Sequence, residues 1–236
     1  MTSFIRRLFN IFFILALNVC ALAISPAKLF AAPVTPSGAT AFDWHTFFGG
    51  AGSEGAQSVA VDSAGNIVLA AYGDFSWNGP GGQTPLNPHS TSVDFLVVKL
   101  DSSGNYLWHT FVGGSGVDYP DEVALDASGN IFITGYTYST NNIAQGGFQN
   151  VNNGGRDCFL AKFNPDGVRA WGTYFGGIGD DMGYSISVNN NNLYLSGKTS
   201  SASGLGINGS QNTNGGMYDG FLTKISQSSD CISPTL

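Results

Sequence analysis

The chain has 236 residues with nine basic and sixteen acidic side chains, and a net charge of −7 leaves no basic surface for nucleic acid. Only 11% of residues are charged while 33 are glycine, the neutral, turn-rich polarity of secreted all-β proteins. Three scattered cysteines exclude a disulfide framework and a cysteine metal pattern.

Arg6 and Arg7 precede an apolar run from Leu8 to Ile24, and Ala21-Leu22-Ala23 supplies the small-x-small pattern a signal peptidase accepts. Residues 1–23 are therefore expected to be a signal peptide, with an alternative cut near residue 31, and residues 24–41 a linker. The run is short for a membrane span and carries Asn10 and Asn18, which disfavours an uncleaved anchor. Val19 is bulky where a lipobox before Cys20 wants Gly, Ala or Ser, which disfavours lipidation. Cleavage removes two basic residues and no acidic one, leaving a net charge of −9 on a secreted, periplasmic or cell-surface chain. Of the remaining cysteines, Cys158 reads as an isolated buried thiol.

From residue 42 to residue 225 the sequence writes one unit of about 63 residues almost three times. Asp43-Trp44-His45-Thr46-Phe47-Phe48-Gly49-Gly50 returns as Leu107-Trp108-His109-Thr110-Phe111-Val112-Gly113-Gly114 and as Ala170-Trp171-Gly172-Thr173-Tyr174-Phe175-Gly176-Gly177. Next, Ser58 to Val61 and Asn66 to Ala70 flank Asp62-Ser63-Ala64-Gly65, an Asp-x-x-Gly turn between two β-rich runs. Asp126-Ala127-Ser128-Gly129 repeats it, and Asn189 to Asn192 replaces it with a shorter turn in which Asn takes the left-handed conformation. A third strand, Asp94 to Leu100, recurs from Asp157 to Phe163 and from Asp219 to Ile225, with alternation placing Leu96, Val98 and Leu100 on one face and Val97 and Lys99 on the other. The turns Asp101 to Gly104 and Asn164 to Gly167 then lead to the Trp strand. Four antiparallel strands per unit make a propeller blade, so the expected fold is all-β, a β-propeller of three four-stranded antiparallel blades forming a partial propeller or half of a dimeric ring.

The run Trp-x-Thr-aromatic-x-Gly-Gly-x-Gly, the Val59 to Ile67 hairpin and the Asp-x-Phe-Leu-x-Lys strand resemble the SBBP-type bacterial β-propeller repeat family over roughly residues 43 to 225. The resemblance implies a bacterial extracytoplasmic propeller and no shared enzymatic activity. Leu100-Asp101-x-x-Gly104-x-x-x-Trp108 also looks like the tryptophan-docking motif of quinoprotein dehydrogenase propellers. That analogy concerns blade packing, and Trp44, Trp108 and Trp171 are assigned to it as wedges between sheets.

The Trp44 strand has no third strand before it, and the last third strand is followed by a tail, residues 226–236, without Gly-x-x-x-Trp. Three blades fall below the four to eight of closed propellers. The alternatives are a homodimer, in which each Trp44 strand completes the partner's last blade, and an open segment of a longer array.

Binding is expected in the long connections between second and third strands, Tyr72 to Val93, Tyr136 to Arg156 and Lys198 to Tyr218. Glu54, Asp118 and Asp181 recur at one position beside them; such carboxylates either bind a hard cation such as calcium or sugar hydroxyls, or accept backbone N–H bonds within their own Gly-rich loops. The lack of an Asp-x-Asp-x-Asp-Gly run favours the second. Ligand-binding candidates are Asp121, Asp180 and the loop aromatics Phe75 and Trp77, read as exposed. His45 and His109 read as strand-surface positions, and there is no nucleophile elbow, zinc signature or phosphate-binding loop. The functional expectation is a non-catalytic binding or structural module at the cell surface, with carbohydrate or another envelope component as ligand. The rivals are a secreted hydrolase or lyase using carboxylates on the loop-rich face and a purely architectural, self-associating module.

Overall fold

The computed structural model describes residues 43–205, 208–227 and 232–233. The signal peptide, both cleavage positions, the linker and most of the C-terminal tail lie outside the described residues. Among the described residues, twelve strands form three antiparallel sheets, each in sequential order. Blade 1 holds β1 (Glu54–Val61), β2 (Ile67–Gly73), β3 (Asp94–Leu100) and β4 (Tyr106–Val112); blade 2 holds β5 (Asp118–Leu125), β6 (Ile131–Thr137), β7 (Asp157–Phe163) and β8 (Arg169–Phe175). Blade 3 holds β9 (Asp181–Asn189), β10 (Asn192–Thr199), β11 (Asp219–Gln227) and the two-residue β12 (Ile232–Ser233).

The turns are local chemistry. Asp62 Oδ1 accepts the N–H groups of Ala64 (2.9 Å) and Asn66 (2.8 Å), and Gly65 takes φ +82°. Asp101, Asp126 and Asn164 repeat the device, with Gly104, Gly129 and Gly167 at positive φ. In blade 3 Asn190 adopts φ +53° in the turn that lacks glycine. A bulge interrupts the first strand of every blade at one repeat position, leaving Gln57, Asp121 and Tyr184 as the extra residues. Such bulges re-aim side chains.

Each blade buries one face against the next. Val68, Ala70, Phe95 and Val97 of blade 1 meet Val123, Ile131, Ile133, Phe159 and Ala161 of blade 2, where the Phe95 and Phe159 rings stack at 4.6 Å. Phe132, Cys158 and Leu160 of blade 2 meet Ile186, Leu193 and Leu195 of blade 3. Polar staples cross both seams: Lys99 Nζ donates to the Pro165 carbonyl (3.1 Å) and Lys162 Nζ to Gln227 Oε1 (3.0 Å). Trp108 lies on Gly167, whose missing side chain leaves room for the indole, and Trp44 lies on Gly104 in the same way. Trp171 stands with its ring centre 6.2 Å from that of Phe132 in the same blade, beside the core shared with blade 3.

Two expectations need correction. Residues 43–50, expected as a strand, lie outside any ladder; β4 and β8 pair with β3 and β7, whereas the outer side of β4 is bonded to Leu86 and Asn87 of its own blade's loop. The tail expected from residue 226 is partly sheet, since β11 runs on to Gln227 and Ser226 and Gln227 pair with Ser233 and Ile232.

The seam between blades 2 and 3 is tight at Gly183, where a Cβ would stand 2.3 Å from Thr134 Oγ1 and 2.5 Å from Cys158 Sγ. Gly183→Ala is expected to destabilise the fold by about 1–3 kcal/mol through overpacking, measured by chemical denaturation.

Candidate ligand face

The loops entering the first strands and those joining the second and third strands lie together: Ser53 O accepts Asp74 N–H, Val117 O accepts Tyr138 N–H, and Asp180 O accepts Ser200 N–H. The recurrent carboxylates hold this face together from inside. Asp118, fully buried, accepts Gly114 N–H (2.9 Å) and the Ser139 hydroxyl (2.8 Å) on Oδ2 and the Thr137 hydroxyl on Oδ1. Asp181, also buried, accepts Gly177 N–H (2.8 Å) and the Ser201 hydroxyl (2.7 Å) on Oδ2. Half-buried Glu54 takes the equivalent place at Gly49, where a Cβ would stand 2.4 Å from Oε2. The geometry of Asp118 is that of a carboxylate spent on its own loops, while Asp181 uses Oδ2 in the same way and keeps a buried Oδ1 without a protein partner. Among the described residues no three His, Cys, Asp or Glu side chains converge as metal ligands.

A second row of acids meets the first across the seams. Asp94 and Asp157 open β3 and β7, fully buried, and accept the N–H groups of Ser90 (2.6 Å) and Asn153 (2.9 Å). A Cβ on Gly113 would stand 2.1 Å from Asp94 Oδ1 and 2.7 Å from Asp118 Oδ2, so glycine is required where the two carboxylates converge. Asp157 crowds Gly176 at 2.4 Å in the same way. Burial, opposed by these hydrogen bonds and reinforced by the neighbouring acid, pushes Asp118 and Asp157 up to about 6, and burial raises Asp94 too. The aspartates beginning each third strand are visible as a repeat, but their meeting with the next unit's acid is a property of the seam.

The solvent-facing part of this face is aromatic and charged. Arg156 Nη2 lies 3.4 Å from Asp180 Oδ2, which also accepts the Tyr218 hydroxyl at 3.3 Å. The Arg156 guanidinium sits 5.4 Å from the Tyr136 ring centre and 5.9 Å from that of Tyr138, and Lys198 Nζ lies 4.9 Å from that of Tyr218 and 5.8 Å from that of Tyr184. Tyr119 continues the band, with its ring 5.7 Å from Tyr136 and 5.0 Å from Tyr72. Tyr138, Tyr184 and Tyr218 are exposed. Asp121, on its bulge, is pushed up to about 6 by burial and has a buried oxygen without a protein partner. Beside the band, the blade 3 loops enclose a cleft of about 530 Å³ bordered by Thr199, Ser201, Gln211, Asn214 and Phe221.

Asp180 thus joins a cluster and Phe75 stands exposed in its loop. Trp77, read from the sequence as an exposed loop aromatic, is buried against Tyr106, His109 and Phe48, because its loop folds back over the β3–β4 side of blade 1. His109, read as a surface position, is buried as well: Nε2–H donates to the Trp77 carbonyl (2.8 Å) and Nδ1 accepts the Tyr106 hydroxyl (2.7 Å). Its burial lowers the imidazole pKa and leaves it a neutral loop anchor. Arg156, Tyr138, Tyr184, Lys198 and Tyr218 were not singled out from the sequence. Their only common signal was membership of long loops or of the first and second strands next to them.

The fold defines a β-propeller repeat protein. Residues 107–143 match the SBBP family model, described as a beta-propeller repeat, so the second unit carries the repeat that its motifs resemble. The chain is also similar to an uncharacterized WD repeat-containing protein of Acanthamoeba polyphaga mimivirus, 30% identical over 133 residues. That match covers 54% of this chain and 9% of the relative.

Proposed function

We propose that this protein is an exported, non-catalytic binding module whose ligand is carbohydrate or another hydroxyl-rich envelope component at the cell surface. The observation that carries the reading is the band of tyrosines around Arg156 and Asp180. Tyrosine rings offer flat apolar faces to a sugar ring, while a partly solvated guanidinium–carboxylate pair exchanges hydrogen bonds with hydroxyls without a large desolvation cost. The buried acids serve the scaffold, which supports binding over hydrolysis. Repeat propeller architecture with long loops on one face supports the coarser role of a binding or structural module.

A glycan array followed by calorimetry on each hit tests this. Tyr138→Ala and Arg156→Ala are each expected to weaken the strongest hit by about tenfold or more, the loss of one stacking or charged contact of about 1.4 kcal/mol, while leaving the thermal midpoint near that of the parent. Turnover of a bound glycan that is lost on Asp180→Asn establishes the hydrolase reading instead. Absence of any ligand leaves the architectural reading.

A further inference from the structure

Both internal seams are built from the same parts, and the chain displays the two halves of a third. We propose that the exposed part of blade 1 around Val59 and the exposed face of blade 3 around Leu222 join head to tail between two copies of this chain, segment 44–50 of one copy taking the place beside β11 of the other that β12 fills only at Ser226 and Gln227.

The parts can be followed position by position. On the face of blade 2 turned to blade 1, Val123 is 5% exposed, and on the same face of blade 3 Ile186 is 3% exposed; their counterpart in blade 1, Val59, is 59% exposed. On the opposite face, Val97 and Leu160 are fully buried against the following blade, whereas their counterpart Leu222 is 76% exposed. Phe111 and Tyr174, on the fourth strands, are each 1% exposed, and their counterpart Phe47 is 84% exposed. The Val59 and Leu222 positions are therefore open only where a neighbouring blade is absent among the described residues, and Phe47 is open where its own sheet is absent.

The polar parts split the same way. Lys99 and Lys162 reach a residue at the β7–β8 turn and at the end of β11 of the following blade, while their counterpart Lys224 stands exposed. The N–H groups of Val123 and Ile186 donate to Ser58 and Glu122 of the preceding blade, and the half-seams hold the free equivalents, Val59 and Ser185. Asp94 and Asp157 meet Asp118 and Asp181 near glycines of the Gly-Gly pairs; the half-seams hold Asp219 on blade 3 and Glu54 beside Gly49 on blade 1. Trp44 already rests on Gly104 as Trp108 rests on Gly167, so segment 44–50 is oriented on blade 1 as the last strand of a preceding blade would be.

The free edge matches in kind. β11 pairs with β10 on one side, while on the other only Ser226 and Gln227 are paired, leaving Asp219 to Ile225 without a ladder among the described residues. By the β3–β4 register, Thr46 falls opposite Leu222 and Trp44 opposite Lys224. The occupant these features describe is another copy, because a different partner would have to reproduce the contacts of an internal seam. Two such seams in one dimer close six blades, within the range of closed propellers. Val59, Leu222 and Lys224 are not members of the tyrosine band, so failure of the dimer leaves the ligand proposal standing.

The test uses the full chain in light scattering after size exclusion, with Leu222→Lys and Val59→Lys, both at exposed positions that a folded monomer tolerates. A dimer is expected, and each substitution is expected to convert it to monomer with an unchanged circular dichroism spectrum. In a Cys231→Ser background, mixing Thr46→Cys with Leu222→Cys is expected to give a disulfide-linked dimer under mild oxidation, and neither variant alone to give that product. A parent that is monomeric at all accessible concentrations overturns the proposal. So does a dimer insensitive to both lysines, and so does a doubly substituted chain that forms the bond within one molecule.

Discussion

Lowering the pH from about 7.5 to about 5 is expected to raise the thermal midpoint of this protein, the reverse of ordinary acid destabilisation. Asp118 and Asp157 are pushed up to about 6 in the folded state, against 3.8 for the free group, chiefly because burial disfavours the carboxylate. Between the two values the folded chain binds more protons than the unfolded one, so stability rises as pH falls through 6 and levels off below about 4. A displacement of two pKa units is worth on the order of 3 kcal/mol for one such group, an upper figure because Asp94 and Asp118 titrate together. Asp62 and Asp101, whose turn hydrogen bonds lower their values, work in the opposite direction, but they act at lower pH. Asp118→Asn fits the same loop without a charge and is expected to flatten the profile between about pH 5 and 7.5, read by calorimetric melting at each pH. A parent profile that falls steadily on acidification contradicts the assignment.

The largest single-residue loss is expected at Phe159. Its ring is fully buried and lies stacked at 4.6 Å, with 10° between planes, on Phe95 of the preceding blade. Phe159→Ala removes the centre of the first seam and leaves a cavity between two sheets that cannot close without moving a blade. The expected cost is about 3–5 kcal/mol in urea denaturation, enough to unfold a marginal domain. Phe159→Leu keeps most of the volume and is expected to cost less than about half as much.

The blades were legible because their determinants are local. Asp-x-x-Gly turns, and Asn164 in the same role, set four of the hairpins through bonds four residues apart, and alternation in Asp94–Leu100 set which side chains face which neighbour. What escaped was made between units. Asp94 and Asp118 lie 24 positions apart in different blades, and only the twist of one sheet on the next brings them together at Gly113. The Arg156 cluster gathers Tyr136, Asp180 and Tyr218 from three strands or loops of unlike sequence, with no repeated spacing to reveal it. Trp77 was misplaced for a related reason: a non-repeated loop residue is equally free to cover the outer face of blade 1 or to meet a ligand, and its composition is the same in either case.

The staples that cross the seams have a direction. Lys99 reaches forward to Pro165 and Lys162 forward to Gln227, and Trp44 and Trp108 press forward on the glycines of the next turn. Among the described residues, these staples each join one unit to the unit directly after it. Removing or duplicating one whole unit leaves the remaining junctions chemically as they were, whereas a cut inside a unit strands a lysine and a tryptophan without receivers. Genes built this way change length by whole-blade steps, and a recombination event in register yields a foldable product where one out of register does not.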